Sequence, residues 1–272
     1  MLLMGLCFVL GIVSIPAGIG GGVLFVPIVS GFFPFHLDFV RGAGLLVALA
    51  SALAAGPSLL RSGLANLRLS LPLALIASVC SIFGAWAGFV LPDTTVQTAL
   101  GLTILFIAII MICVKTTDKP IMESGGNTDH SLSINGVFND LASGEQIAWR
   151  TTRTTTGFIL FAGIGFLAGL FGMGAGWANV PALNLVMGIP LKVSAGTSSF
   201  ILSLVDSTAA WVYLNRGAVL AIIAVPSMLG MMLGARIGAK MLGKMKTSNV
   251  RALVITLLFF SGIRSLLKGL GI

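Results

Sequence analysis

Long runs of apolar residues dominate the sequence and leave few folds open to it. A run of 18 or more mostly apolar residues is long enough to cross a bilayer as a helix. Counted with their short interruptions, the clearest runs cover residues 69–91, 96–114, 157–170, 197–214, 218–237 and 250–267. Only 9% of the residues are charged, whereas a soluble domain has about 25%. Because helices satisfy their own backbone hydrogen bonds in hydrocarbon, the sequence predicts an all-α polytopic membrane protein.

The charged residues and cysteines exclude several other classes of protein. The net charge is +8, but the basic residues lie at the ends of apolar runs, as in cytoplasmic loops, which argues against a nucleic-acid partner. Cys7, Cys80 and Cys113 lie in apolar runs and indicate no disulfide framework. The N-terminus has no basic leader or cleavage site, so we expect it to be the first membrane segment. The sequence indicates no cofactor, metal site or catalytic Ser/His/Asp set, which argues against an enzyme.

The two halves of the chain resemble each other. An offset of 154 residues pairs Pro27 with Pro181 and Pro72 with Pro226. The same offset pairs these glycines: Gly11 with Gly165, Gly18 with Gly172, Gly20 with Gly174, Gly22 with Gly176, Gly42 with Gly196, and Gly63 with Gly217. Glycines alone could align by chance, but prolines in the same register indicate an ancient duplication. We predict an N-terminal membrane repeat (1–115), a polar linker (116–152) and a C-terminal membrane repeat (153–272).

Each half begins with a long apolar segment that a glycine cluster interrupts, GIGGGVLFVP at 18–27 and GMGAGWANVP at 172–181. A nucleotide-binding glycine loop would need a preceding strand, which the apolar surroundings do not offer. In hydrocarbon a helix breaks only where the break faces protein or a water-filled cavity. Paired interrupted segments in a duplicated chain are typical of secondary transporters. Free N–H groups at a helix start attract anions, so the two clusters predict a small anionic substrate between them.

The positive loops favour an inverted duplication. Basic residues cluster over 240–251, between the last two spans, but over 61–68, between the second and third spans, in the first half. Because positive loops face the cytoplasm, the halves are expected to have opposite orientations. This predicts two inverted repeats of about four to five transmembrane segments each, with glycine-broken first helices. Parallel repeats of four segments each are the alternative.

Four short motifs give the chain a specific resemblance to one family. The GIGGG–VP and GMGAG–VP pair, AGTSS at 195–199 and NRG at 215–217 resemble the TauE/SafE sulfite exporter family over nearly the whole chain except the linker. The resemblance implies export of sulfite or small organosulfur anions across the cytoplasmic membrane. The chain departs from the family pattern in Ala175, in the Trp177–Asn179 stretch, and in RGAGLL where the second half has AGTSS.

The candidate site residues come from the glycine clusters and the polar residues near them. The candidates for substrate binding are Gly20, Gly21, Gly22, Arg41, Gly174, Ala175, Gly176, Asn179, Thr197, Ser198 and Ser199. Asp206 lies in mid-span and is the candidate for proton coupling, since an intramembrane acid is a functional hypothesis by default.

Each candidate also has a structural interpretation. Glycines can simply allow close helix packing, which is the interpretation we give to the scattered Gly84, Gly88, Gly234 and Gly238. Arg41 and Lys192 could be interfacial anchors. The hydroxyls at 197–199 could cap a helix or bond the preceding turn. Asp206 could be a neutral carboxyl bonded to the hydroxyls at 203, 207 or 208.

Three functions remain open from the sequence. The first is a secondary transporter of a small sulfur-containing oxyanion. The sequence leaves open whether this transporter forms a homodimer and whether transport is coupled to protons. The second is an anion channel or facilitator of the same architecture, which would pass currents too large for a turnover cycle. The third is an intramembrane enzyme or assembly subunit, for which the spans carry no supporting residue pattern.

Overall fold

The computed structural model describes residues 2–32, 35–113, 134–140 and 145–271, and these are mostly helical. The helices of the first half are α1 (Leu2–Ser14), α2 (Gly22–Phe32), α3 (Leu37–Arg61), α4 (Leu67–Gly88) and α5 (Asp93–Cys113). Those of the second half are α6 (Thr154–Phe171), α7 (Gly176–Pro181), α8 (Leu191–Asn215), α9 (Ala221–Lys244) and α10 (Thr247–Gly269). Helix α7 continues as a π-helical turn over Ala182–Val186. Within the described ranges, α3, α4, α5, α6, α9 and α10 are long and apolar enough to cross a membrane. The chain is an all-α polytopic membrane protein, as predicted.

The two halves have the same order of helices at the predicted spacing. The starts of α2, α3, α4 and α5 lie 154 residues before those of α7, α8, α9 and α10. The backbone at the breaks agrees as well: φ is +67° at Gly18 and +65° at Gly172, and +75° at Gly20 and +79° at Gly174. These left-handed conformations suit glycine, because a side chain there would meet its own carbonyl.

The first helix of each half packs against the fourth helix of the other half. In α9, Gly230 lies on the carbonyl of Met4 and Gly234 on that of Phe8, so α1 and α9 run in the same direction. The equivalent pair, α6 and α4, is also parallel, since Gly165 meets Ala77 and Gly169 meets Ser81. Such backbone contacts require small residues. Gly84, Gly88, Gly234 and Gly238 all make them, which fits the packing role predicted from the sequence.

The last helices of the two halves run in opposite directions. A Cβ at Gly101 would lie 2.8 Å from Cα of Leu266, and one at Gly269 would lie 2.5 Å from Oγ1 of Thr98. Toward the other end, Nη2 of Arg251 donates to the carbonyl of Met111 over 2.9 Å. Helices α5 and α10 are therefore antiparallel. The end of the bundle where α5 begins and α10 ends is called the C-terminal end below, and the opposite end the linker end.

In each half, the broken segment folds into a helical hairpin. Oγ of Ser261 in α10 donates to the carbonyl of Val23, and Nζ of Lys268 donates to the carbonyl of Ser30, so α2 runs parallel to α10. Helix α2 therefore ends at the C-terminal end, where α3 begins, and the two helices run in opposite directions. Residues 14–27 and 168–184, which contain the two hairpin tips, are all buried. The two ends of the second hairpin meet at the linker end, opposite its tip, where Thr152 N donates to Met187 O over 3.0 Å. Both glycine clusters therefore lie at tips inside the bundle.

Two features of the described chain differ from the sequence-based description. Helix α8 begins at Leu191, six residues before the predicted span, because Lys192 and Ser194 are buried in it despite their polarity. Thr197 consequently lies in its second turn and cannot cap its start. Part of the 116–152 segment forms an antiparallel β-hairpin of β1 (Asn135–Asp140) and β2 (Glu145–Arg150), which its polar composition does not indicate.

Candidate functional site

The two hairpin tips contact each other through backbone. A Cβ at Gly22 would lie 2.5 Å from the carbonyl oxygen of Met173, and the equivalent Cβ at Gly176 would overlap the carbonyl of Ile19. Any side chain at either position would therefore push the tips apart. The predicted glycines are required here because the two breaks meet inside the protein, at the place where the two halves cross.

Buried polar atoms without partners surround the second break. Nε1 of Trp177, both amide atoms of Asn179 and both carboxyl oxygens of Asp206 are buried and lack a hydrogen-bond partner within the described chain. Buried polar groups almost always have a partner. Five such atoms on two adjacent elements, α7 and α8, indicate a place for a ligand or for water.

Among the described residues, the first break has one such atom, Oγ of Ser14 at the end of α1. The residues 154 positions before Trp177, Asn179 and Asp206 are Val23, Phe25 and Ala52, all of them apolar. The two tips thus share their backbone geometry but not their chemistry. Most of the buried unpartnered polar atoms near the breaks are therefore in the second half.

Asp206 faces the backbone of the second tip. A Cβ at Gly174 would lie 2.8 Å from Oδ1 and 2.9 Å from Oδ2 of this carboxyl. The hydroxyls proposed as its structural partners donate elsewhere: Ser203 to Phe200 O, Ser207 to Leu204 O, and Thr208 to Val205 O. An ionised carboxylate in such a place costs far more free energy than a neutral carboxylic acid. The carboxyl is therefore placed where gaining or losing a proton has a large energetic effect.

The predicted hydroxyl cluster of α8 is divided among three contacts. Oγ of Ser198 donates to Gly18 O over 2.7 Å, which joins α8 to the first tip. Oγ of Ser199 bonds back to Ala195 O, and Oγ1 of Thr197 accepts from Asn66 N in the loop between α3 and α4. Of the three, Ser198 is the one in contact with a glycine break.

Of the remaining candidates, those of the first tip face apolar side chains. A Cβ at Gly20 would meet Leu202, and one at Gly21 would meet Met231. Ala175 is buried and directly precedes α7. Lys192 is also buried, near the start of α8, and so is not a solvent-exposed anchor.

Arg41 connects the second tip with the C-terminal end of the bundle. Its Nη1 lies 3.3 Å from Oδ1 of Asp38 and 3.6 Å from Oδ1 of Asp93. Its Nη2 is buried with no partner among the described residues, and only 1% of the residue is exposed. A Cβ at Gly172 would lie 2.6 Å from Cβ of Arg41, so the arginine stem touches the break itself.

A small basic cavity extends from Arg41 toward that end. Its volume is about 10 Å³, roughly one water position, and Phe171 and Met173 of the second tip line it. Arg264 and Lys268 of α10 line it as well, which places three cationic side chains around one cavity. The cavity therefore lies between residues that flank the second glycine break and three cationic side chains, of which Arg41 is paired with Asp38 and Asp93.

Sequence reasoning missed Arg264 and Lys268. They lie four residues apart, and hence on one face of α10, which is the signal that could have found them. That this face contacts α2 and lines the cavity beside Arg41 depends on how the halves cross, which no local pattern reveals.

Comparisons with known proteins place the chain among membrane transporters. The sequence model of the family described as sulfite exporter TauE/SafE matches residues 3–265. A probable membrane transporter protein, YunE, of Bacillus subtilis (strain 168) is 25% identical over 276 residues, covering 99% of this chain and 98% of the relative. No solved structure matches the chain significantly.

Proposed function

Because the chain belongs to the TauE/SafE sulfite exporter family of membrane transporters, we propose that it exports sulfite or a related small sulfur-containing oxyanion across the cytoplasmic membrane. The observation that carries this proposal is the set of unpartnered buried polar atoms at the second break, beside the basic cavity of Arg41. An oxyanion accepts hydrogen bonds on every oxygen. It would accept hydrogen bonds from the unpartnered donors Trp177 Nε1, Asn179 Nδ2 and Arg41 Nη2.

The transport cycle is proposed to be alternating access between inverted repeats. The antiparallel packing of α5 and α10 supports inversion, because a two-fold axis relating two antiparallel helices lies in the membrane plane. Helices α3 and α8 support it too: Gly42 meets Ala218 and Gly196 meets Leu64, which makes this equivalent pair antiparallel. Rocking one half against the other would move the contact between the tips, and with it the side to which the site opens.

The basic loops give the orientation in this proposal. The loop between α3 and α4 and the loop between α9 and α10 both lie at the linker end, and both are rich in lysine and arginine. Positive loops face the cytoplasm. The C-terminal end, with Arg41, Arg264 and Lys268, would then face outward, and the basic cavity would be on the release path of the anion.

Asp206 is the proposed proton carrier of this cycle. The carboxyl lies beside the second break without a partner in the described part of the chain. A bound anion would repel the carboxylate and favour the protonated acid. Substrate and proton would therefore occupy the site together, which is the thermodynamic condition for coupling.

The test is flux of labelled sulfite, thiosulfate and taurine-like sulfonates in proteoliposomes, with and without a pH gradient. We expect saturable uptake of one of these anions, with counterflow and acceleration by the gradient. Flux without saturation together with a large conductance would identify an anion channel instead. Absence of flux for every sulfur oxyanion, in protein shown to be folded, would overturn the proposed substrate class.

A further inference from the structure

A second basic feature lies at the linker end, on the outer surface of the bundle. Helices α3 and α9 border a groove of about 690 Å³, and no residue of either glycine break lines it. Arg61, Arg236 and Lys240 line it, and all three are exposed. Apolar side chains, among them Leu53 and Met232, line the part of the groove that extends toward the membrane interior.

The described residues of the protein do not compensate the charge of this groove. No Asp or Glu lines it, and across the described ranges none of the three cations forms an ion pair. Three positive charges at one site on a protein of net charge +8 repel one another unless an anion lies among them. The groove therefore combines a cationic end, which suits an anion, with an apolar surface, which suits a hydrocarbon chain.

The internal repeat supplies a comparison for the same groove at the opposite end. Offset by 154 residues, Lys240 corresponds to Trp86, Pro57 to Trp211, and Ser62 to Arg216. The guanidinium of Arg216 stacks over the ring of Trp86 at 5.3 Å, so side chains of the protein occupy the equivalent space there. At the linker end that space is open and basic. The difference is a property of one membrane face and not of the fold.

We infer that this groove binds an anionic phospholipid, with its phosphate among Arg61, Arg236 and Lys240 and an acyl chain along Leu53 and Met232. Basic pockets between transmembrane helices on the cytoplasmic side are suited to anionic lipid headgroups. A second copy of this chain is a poorer occupant, because it would bring a like-charged surface to the three cations. A free phosphate ion would leave the apolar floor uncovered.

The test measures retained lipid on the full-length protein by native mass spectrometry, with phosphatidylglycerol and phosphatidylcholine as probes. We expect wild type to bind phosphatidylglycerol and Arg236→Gln/Lys240→Gln to bind it about 30-fold more weakly, since each cation contributes about 1 kcal/mol. The control Lys244→Gln/Lys246→Gln removes two exposed charges at the same end outside the groove, and should bind as wild type does.

Three outcomes would overturn the inference. Equal binding of the two lipids would remove the role of charge. Equal loss in the control and groove variants would make the effect one of net charge at this end. A wild-type dimer that dissociates in the groove variant would identify a second copy as the occupant. Thermal unfolding of each purified variant without added lipid establishes that all are folded.

Discussion

Gly174 lies directly against the carboxyl group of Asp206, with room for no side chain between the hairpin tip and α8. This contact joins the left-handed backbone of the second break to the buried acid. The glycine cluster and Asp206 were independent signals in the sequence, since one is a break motif and the other an acid in mid-span. Together they form one site.

Asp206→Asn is expected to separate binding from coupling. The amide has the shape and neutrality of the protonated carboxyl, so the variant should still exchange labelled anion for unlabelled anion. It cannot release a proton, so an imposed pH gradient should no longer accelerate net transport. Uptake in proteoliposomes with the gradient on and off measures both. A full gradient response in well-folded Asp206→Asn would exclude this residue as the proton carrier.

Gly176→Ala is expected to abolish transport, because its Cβ would overlap the carbonyl of Ile19 in the opposite tip. The two hairpins could then not meet as they do in the native bundle. Gly163→Ala is the matched control, since a Cβ at Gly163 meets nothing within 4 Å. Alanine is a better helix former by about 1 kcal/mol, so the control should be at least as stable as wild type. Transport and detergent-solubilised Tm are the readouts, and normal flux in Gly176→Ala would contradict contact between the tips.

Arg41→Gln is expected to raise KM for the anion about tenfold to a hundredfold. A charge-assisted hydrogen bond contributes about 1.5–3 kcal/mol, and the glutamine amide replaces the charge by a weaker donor. Because loss of Arg41 also removes the arginine partner of Asp38 and Asp93, Arg264→Gln serves as a second variant in the same cavity. Arg216→Gln removes an arginine that does not line the cavity and should leave KM unchanged. An unchanged KM in both cavity variants would exclude the basic cavity from the anion path.

Ser62→Cys and Arg216→Cys are expected to react with impermeant thiol reagents from opposite sides of the membrane. The two residues are equivalent in the repeats, both are exposed, and each ends a helix, α3 or α8. The three native cysteines, Cys7, Cys80 and Cys113, are first replaced by serine or alanine. Labelling from the same side would establish parallel repeats and remove the basis for the alternating-access proposal.

The sequence predicts the organisation of this chain better than it predicts its site. Glycines in one register set the places where helices break, because those positions depend on local backbone conformation, whereas the paired prolines lie inside helices. The sequence predicts the start of α8 six residues too late. A lysine such as Lys192 is typical of a loop, but in the folded chain it is buried. The cavity of Arg41, Arg264 and Lys268 was not foreseen for the same reason. Its members come from both halves, and only the crossing of the halves brings them together.

The pairing of α1 with α9, and of α6 with α4, has a consequence for biosynthesis. Helix α1 enters the bilayer when its partner has yet to be translated, so its glycine-containing face first lies against lipid or insertion machinery. The N-terminal half cannot reach its final packing alone, because its own fourth helix is the partner of a segment that follows the linker. Each half is completed only when the first helix of the other half packs against its fourth helix, so final packing of both halves follows synthesis of α9.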